Sequence, residues 1–450
     1  MNDPLHALSP LDGRYTQAAA PLAEYFSEFA FLRDRVRVEL DFLAALSSTG
    51  LFRPLSGSER ALLQLIQANF STLDAGSVQS YERETRHDVK AIEYYLKNKL
   101  HETSLSDLLS WLHFGLTSED VNNMAQAIAL RDSRDRVLLP ALDQLIARLR
   151  EFAIRHRAVP MLARTHGQAA VPTTVGKEFA VYVARLRSTY DAIAAFRFEA
   201  KLTGAVGNFN ALQAAAPQVD WISFSETFVS GYDLAPNLLT TQILPYDNSI
   251  RYFDLVRLAN SILIDLAQDI WRYISDGSLK QAVIEGEVGS STMPQKVNPI
   301  DFENAEGNLG IANSLLIHYA QKLPVSRLQR DLSDSTVRRT FGTALGHSLV
   351  AWTSLQRGLS RITPDEERLK EELSTHWEVV SEGAQTILRA VGKADAYEAL
   401  KQQTRGRVLS EADYKSWCEA VDVDEETRAR LKKLSPENYL GLAIQLTDHL

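Results

Sequence analysis

A single cysteine, Cys418, leaves no partner for an intrachain disulfide and no thiolate set for a zinc site. That usage fits a reducing compartment. Helix breakers are scarce: 22 glycines and 15 prolines make 37 of 450 residues, or about 8%, against roughly 12% in ordinary globular chains. The shortage favours an all-α fold. No uncharged apolar run approaches the roughly 18 residues that a membrane-spanning helix needs. The opening MNDPLHALSP has no charged segment followed by an apolar one, so neither a membrane span nor a secretory signal is expected, and the cytoplasm is the expected location. A Walker-type phosphate loop, a dinucleotide glycine fingerprint, a nucleophile elbow and HExxH spacing are missing too. What remains is chemistry without metal or cofactor, on anionic substrates. The net charge of −9 argues against non-specific binding to nucleic acid or anionic membranes, while leaving room for a local basic pocket.

What is present reads as helix. Hydrophobic residues make up 45% of the 450 residues, enough for a substantial core. Phe29, Leu32, Val36, Leu40 and Leu43 recur at helical spacing, and Ser56 opens a second amphipathic run. Leu142, Leu145, Ile146, Leu149, Phe152 and Ala153 form a third stripe. Leu255 to Ile274 is apolar around much of its circumference and should lie inside a bundle. The polar stretch 163–174 reads as an interruption between helices. Thr363, Pro364 and Glu366 read as a capping box that opens a last block. The expected organisation is three consecutive helical domains, 1–110, 111–362 and 363–450, with long helices in the middle one.

Several stretches could carry chemistry. The loop Gly286 to Asn304 follows a core helix yet is polar, with Ser290, Ser291, Lys296 and Asn298 close together and Glu303 just beyond; its glycines permit hinge motion. His166, in ARTHGQAAVPTT, has small polar neighbours and a pKa suited to acid–base work. Arg86, His87 and Asp88 fall together in a run that reads equally as a charged helix face. Thr117 and Ser118 open a helix with Glu119 and Asp120 in its first turn. Such a helix start holds an anion only if the two acidic side chains point away from it. Arg327, Arg330, Arg338 and Arg339 alternate with hydroxyls, Ser335 among them, a mixture that suits phosphate or carboxylate recognition.

The loop sequence GSSTMPQKVNP, Gly289 to Pro299, closely resembles the signature of the fumarase/aspartase superfamily. SPLDGRY, TRHDVKAIEYYLK, HFGLTSEDVNN, ARTHGQAAVPTTVGKE and KLPVSRLQRDLSDSTVRR resemble its adenylosuccinate lyase branch, in the same order and from about residue 9 to the C-terminus. Gln295 departs from that branch and is commoner in argininosuccinate lyases, the alternative assignment; a non-catalytic structural member is the other.

The resemblance implies three helical domains with a central long-helix bundle, and a homotetramer whose sites are shared between subunits. It implies small-molecule substrates, adenylosuccinate and SAICAR, cleaved to fumarate and AMP or AICAR, with no metal or cofactor and no nucleic-acid or membrane partner. Ser290 would be the general base, His166 the general acid, and Glu303 the partner of His166. Substrate contacts would come from Arg14, Tyr15, Arg86, His87, Asp88, His113, Thr117, Ser118, Gln242, Lys296, Asn298, Arg330, Ser335 and Arg339.

Overall fold

A computed structural model describes residues 4–284, 286, 292–293, 295–393, 395, 398 and 408–450. It is about 65% helical. Strands among the described residues form three two-stranded sheets. The chain divides into two compact units. One comprises Met1–Ala141, Tyr190–Ser261 and Asn308–Val350; the other Leu142–Thr189, Ile262–Gly307 and Ala351–Leu450. Five helices contribute residues to both: Leu139–Arg155, Val175–Ala194, Asp247–Ser275, Ile300–Lys322 and Phe341–Leu359.

In the first unit, helix Glu28–Leu46 buries Leu32, Val36, Leu40 and Leu43 in one cluster with Ile92, Leu96 and Leu100 of helix Asp88–Leu100. This is the apolar stripe read from the sequence, with Phe29 packed on its edge. Full burial of each such side chain is worth about 1.5–3 kcal/mol, which outweighs the indifferent propensity of β-branched Val36. The Ser56 start is a complete capping box: Glu59 N–H donates to Ser56 Oγ at 3.2 Å and Ser56 N–H to Glu59 Oε2 at 2.8 Å. Helix Ser118–Ser133 passes through a π-helical turn, Arg134–Leu138, before Leu139–Arg155 begins.

The loop that leads into helix Ser118–Ser133 is held in an unusual backbone. His113 has φ 56° and Gly115 φ 69°. A Cβ on Gly115 would meet Leu212 Cδ2 at 2.4 Å. The dihedral therefore favours glycine, and any side chain there would have to displace Leu212.

In the second unit the stretch expected as a polar interruption is a β-hairpin, Pro160–Thr165 with Gln168–Thr174. His166 and Gly167 turn it, with φ 54° and 74°; two consecutive positive φ values match the twist of paired strands. The hairpin leaves no period-2 pattern in the sequence because its burial does not alternate and its register shifts between Leu162 and Arg164. Leu162 joins a cluster with Leu373, Trp377, Val380, Leu388, Tyr414 and the buried thiol of Cys418.

The last helical block begins later than expected. Thr363 and Pro364 belong to a strand paired with Leu279–Gln281. Asp365 is the N-cap instead, accepting from Arg368 N–H at 3.2 Å. Strand pairing took Thr363 and Pro364 because their extended backbone satisfies Leu279–Gln281, and Asp365 caps as well as threonine does. The long apolar helix is present as Asp247–Ser275. It leaves Leu258 and Trp271 at 47% and 42% exposure, so its apolar circumference is only partly covered within the chain.

Replacing Gly115 with Ala is expected to destabilise the protein by about 1–3 kcal/mol, seen as a lower urea midpoint. An unchanged midpoint would show that Leu212 yields freely.

Candidate active site

The start of helix Ser118–Ser133 carries two consecutive buried carboxylates, and each is fully engaged. Asp120, with no exposed surface, forms an ion pair with the equally buried Lys201 at 3.0 Å. Its Oδ1 also accepts from Thr203 and Gly204 N–H, and its Oδ2 from Thr117 N–H at 2.9 Å. Lys201 Nζ donates in addition to Gly204 O at 2.9 Å. Glu119 accepts both Arg338 nitrogens, at 2.8 and 2.9 Å, and meets Arg330 Nη2 at 3.1 Å. Burial alone would push the Glu119 carboxyl up, but Arg338 and Arg330 hold it below the usual carboxylate range. Both acidic side chains are thus committed to partners. That is the condition under which a helix start is left open to an anion.

Ser118, the residue before them, lines a cavity of about 440 Å³ in the first unit. His87, Asp88, Arg330, Ser335 and Arg339 line it as well, so six residues chosen from the sequence converge. They arrive from three places: the start of helix Asp88–Leu100, the start of helix Ser118–Ser133, and the segment around helix Ser333–Arg338. His87 is the N-cap of its helix, and its Nδ1 accepts from Lys90 N–H at 3.2 Å. The neutral ring therefore carries its proton on Nε2. Gln242 lies behind the wall, its Oε1 accepting from Arg330 at 3.3 Å. The lining contains four arginines (Arg35, Arg330, Arg338 and Arg339) against two carboxylates, Glu28 and Asp88. Burial would raise the Asp88 carboxyl, but Arg35 holds it low. Such a site has a surplus of positive charge in a half-dry space, where an anion is bound more strongly than in water.

His113 sits outside that lining. Its Nδ1 meets Glu39 Oε1 at 2.6 Å, and Glu39 is 1% exposed. Burial would lower the imidazole pKa, yet the Glu39 carboxylate outweighs it and the net shift is upward. Thr117 is the N-cap of the same stretch. Arg14 is exposed, Tyr15 caps helix Thr16–Phe26, and Arg86 closes the helix before His87 in a left-handed backbone. None of these three lines the cavity.

The remaining described candidates, His166, Lys296, Asn298 and Glu303, belong to the second unit. Ser290 and Ser291 lie outside the described residues. Lys296 is exposed and Asn298 half-buried. His166 is exposed at its hairpin turn. Glu303, on helix Ile300–Lys322, accepts from Trp271 Nε1 at 3.1 Å. Among the described residues no ion pair joins Glu303 to His166.

Residues 13–312 match a protein family described as Lyase, and residues 326–440 one described as Adenylosuccinate lyase C-terminal. The chain is 45% identical to adenylosuccinate lyase of Haemophilus influenzae and 44% identical to that of Escherichia coli, each over 99% of both chains. It is also 44% identical to the Dictyostelium discoideum enzyme over 97% of both. The chain belongs to the adenylosuccinate lyase family.

Solved structures of lower identity share the fold. A fumarate lyase from Mesorhizobium sp. BNC1 superposes with a TM-score of 0.76 at 17% identity, covering 96% of this chain and 97% of that one. The 3-carboxy-cis,cis-muconate lactonizing enzyme of Pseudomonas putida gives 0.75 at 20%, covering 96% of each. The expected all-α fold of fumarase/aspartase type is therefore present. Gln295 does not remove the chain from the adenylosuccinate lyase family.

Among the polar residues of the cavity wall, the sequence does not mark Arg35 and Asn122 for binding or catalysis, nor Glu39, which partners His113 outside that wall. Arg35 and Glu39 were legible in principle. They stand four residues apart on the helix whose stripe is Leu32, Val36, Leu40 and Leu43, and both are buried to 1% exposure. Charges beside a core stripe need partners, and that need was the available signal. Arg338 sat within a recognised arginine-rich stretch, but its partner Glu119 is 219 residues away.

The Glu39 contact predicts a pH effect. The folded-state pKa of His113 lies above its ordinary value of 6.5, so the pair's stabilisation is complete below about that pH and fades as pH rises through the folded value. Glu39→Gln should flatten this fall in thermal midpoint and lower the His113 titration seen by NMR. An unmoved titration would show that Glu39 does not set it.

Proposed function

We propose that the protein is a carbon–nitrogen lyase that cleaves adenylosuccinate to AMP and fumarate, and SAICAR to AICAR and fumarate. One observation carries the reading: a chain of the adenylosuccinate lyase family has a cavity walled by four arginines, two serines and a histidine. A substrate bearing a phosphate and two carboxylates suits that wall.

The reaction removes a proton from the carbon beside a carboxylate and expels nitrogen from the neighbouring carbon. The base must be close, the carbanion must be stabilised electrostatically, and the leaving nitrogen needs a proton. In our reading Ser290 takes the carbon-bound proton. Its hydroxyl is a feeble base and serves only when its alkoxide is stabilised in a closed, dry site, with Lys296 as one donor. His166 gives its proton to the departing nitrogen, and Glu303 orients it. Arg14, Tyr15, Arg86, His113, Thr117, Gln242 and Asn298 complete the substrate contacts.

We further infer a cytoplasmic homotetramer of three-domain subunits, with each site built from several copies. The exposed His166, carried on a turn without an ion-pair partner among the described residues, is what such sharing requires. Apolar residues left open on long helices support it as well: Leu258, Trp271, Ile311 and Ile317 are each more than two-fifths exposed.

Purified protein is expected to consume adenylosuccinate, seen as loss of the succinyl-adenine absorbance with release of fumarate. Rapid turnover of argininosuccinate with none of adenylosuccinate would sink the reading. Ser290→Ala should abolish turnover and retain substrate binding; full turnover would refute its role. His166→Leu should be inactive alone, and mixing it with Ser290→Ala protein should restore part of the activity. Failure to do so after subunit exchange would count against shared sites.

A further inference from the structure

Arg35 is held by three helices and one ring. It rises from helix Glu28–Leu46, and its Nη2 meets Asp88 Oδ2 at 2.5 Å, at the first residue of helix Asp88–Leu100. Its Nε donates to Asn122 Oδ1 at 2.8 Å, on helix Ser118–Ser133. Its guanidinium carbon lies 3.9 Å from the centre of the Phe31 ring. The side chain is 1% exposed, lines the 440 Å³ cavity, and has one nitrogen, Nη1, buried without any hydrogen-bond partner.

A buried charged donor left unmade is costly, and proteins retain one where something else completes it. Asp88 and Asn122 already occupy the other two edges of the fork, so the side chain has no freedom to turn Nη1 elsewhere. Arg330 lines the same cavity and likewise has a buried nitrogen, Nε, without a partner. Two unmade cationic donors and a lining with more arginines than carboxylates call for an oxyanion.

We propose that Arg35 is a substrate-binding residue whose Nη1 donates to an anionic oxygen of the ligand, either the phosphate or a succinyl carboxylate. The inference rests on the lyase reading above and adds to it a residue fixed before substrate arrives. Its rigid support means that little side-chain entropy is lost on binding.

The test uses the full-length protein. Arg35→Gln and Arg35→Lys are compared with the parent for adenylosuccinate turnover, and for inhibition by AMP, which carries the phosphate, and by succinate, which carries only the dicarboxylate. Arg35→Lys keeps a cation against Asp88 but loses the fork, so it serves where Arg35→Gln does not fold. A rise in KM of at least about tenfold is expected, with a smaller change in kcat. Weakened inhibition by AMP alone assigns the phosphate; by succinate alone, the carboxylate. Unchanged KM and inhibition in a folded variant would overturn the proposal. Crystals of the parent protein with AMP or with succinate supply a readout independent of any variant: an anion oxygen within hydrogen-bond distance of Nη1 is expected in one of them, and its absence from both overturns the assignment. Absent turnover by the parent protein would instead sink the lyase reading.

Discussion

Two adjacent carboxylates at the start of helix Ser118–Ser133 are removed from water, and the surrounding structure is arranged to satisfy them. A carboxylate buried alone would cost several kcal/mol or take up a proton. Asp120 is matched by Lys201, by two N–H groups of the 203–204 segment and by its own helix start. Glu119 is matched by Arg338, Arg330 and Asn122. These partners come from segments far apart in the chain, so meeting the two charges brings those segments to one place. Hydrophobic clusters supply most of the folding energy, but they are indifferent to register in a way that a bidentate arginine–carboxylate pair is not.

The same pairings shape the cavity. Because Glu119 accepts two arginines from the side of the wall, those guanidiniums are positioned and not wholly neutralised. Asp88 does the same for Arg35, and Glu28 for Arg339, which it meets at 2.9 Å. The carboxylates act as supports that aim cations. An anion entering the cavity finds donors already oriented, and the rearrangement that water would need has been completed in folding.

The second unit uses different means. His166 stands on a two-residue hairpin turn, where a left-handed backbone exposes its ring instead of packing it. Non-glycine residues at positive φ are uncommon and gather at functional positions; Arg86 and His113 are two more in this chain. Positive φ at three of the residues that the resemblance implicates, beside Phe209, Asp233 and Leu328, is a local feature that no composition or periodicity reveals.

The sequence by itself determined the helical class, the amphipathic stripes, the Ser56 and Thr117 helix starts, and a family signature strong enough to name a chemistry. These depend on residues within one or two turns of each other, where spacing translates directly into a shared face. It also marked six residues that converge on one cavity. The tertiary structure alone decided that stretch 163–174 pairs as a hairpin, that Thr363 joins a strand and leaves Asp365 to cap, and that Arg35, Glu39 and Arg338 are buried in ion pairs. The hairpin pairs within a few residues of its turn but with a shifted register, while the others turn on contacts across tens to hundreds of residues. Pairing energy of that kind depends on where the chain returns, and local pattern carries no record of it.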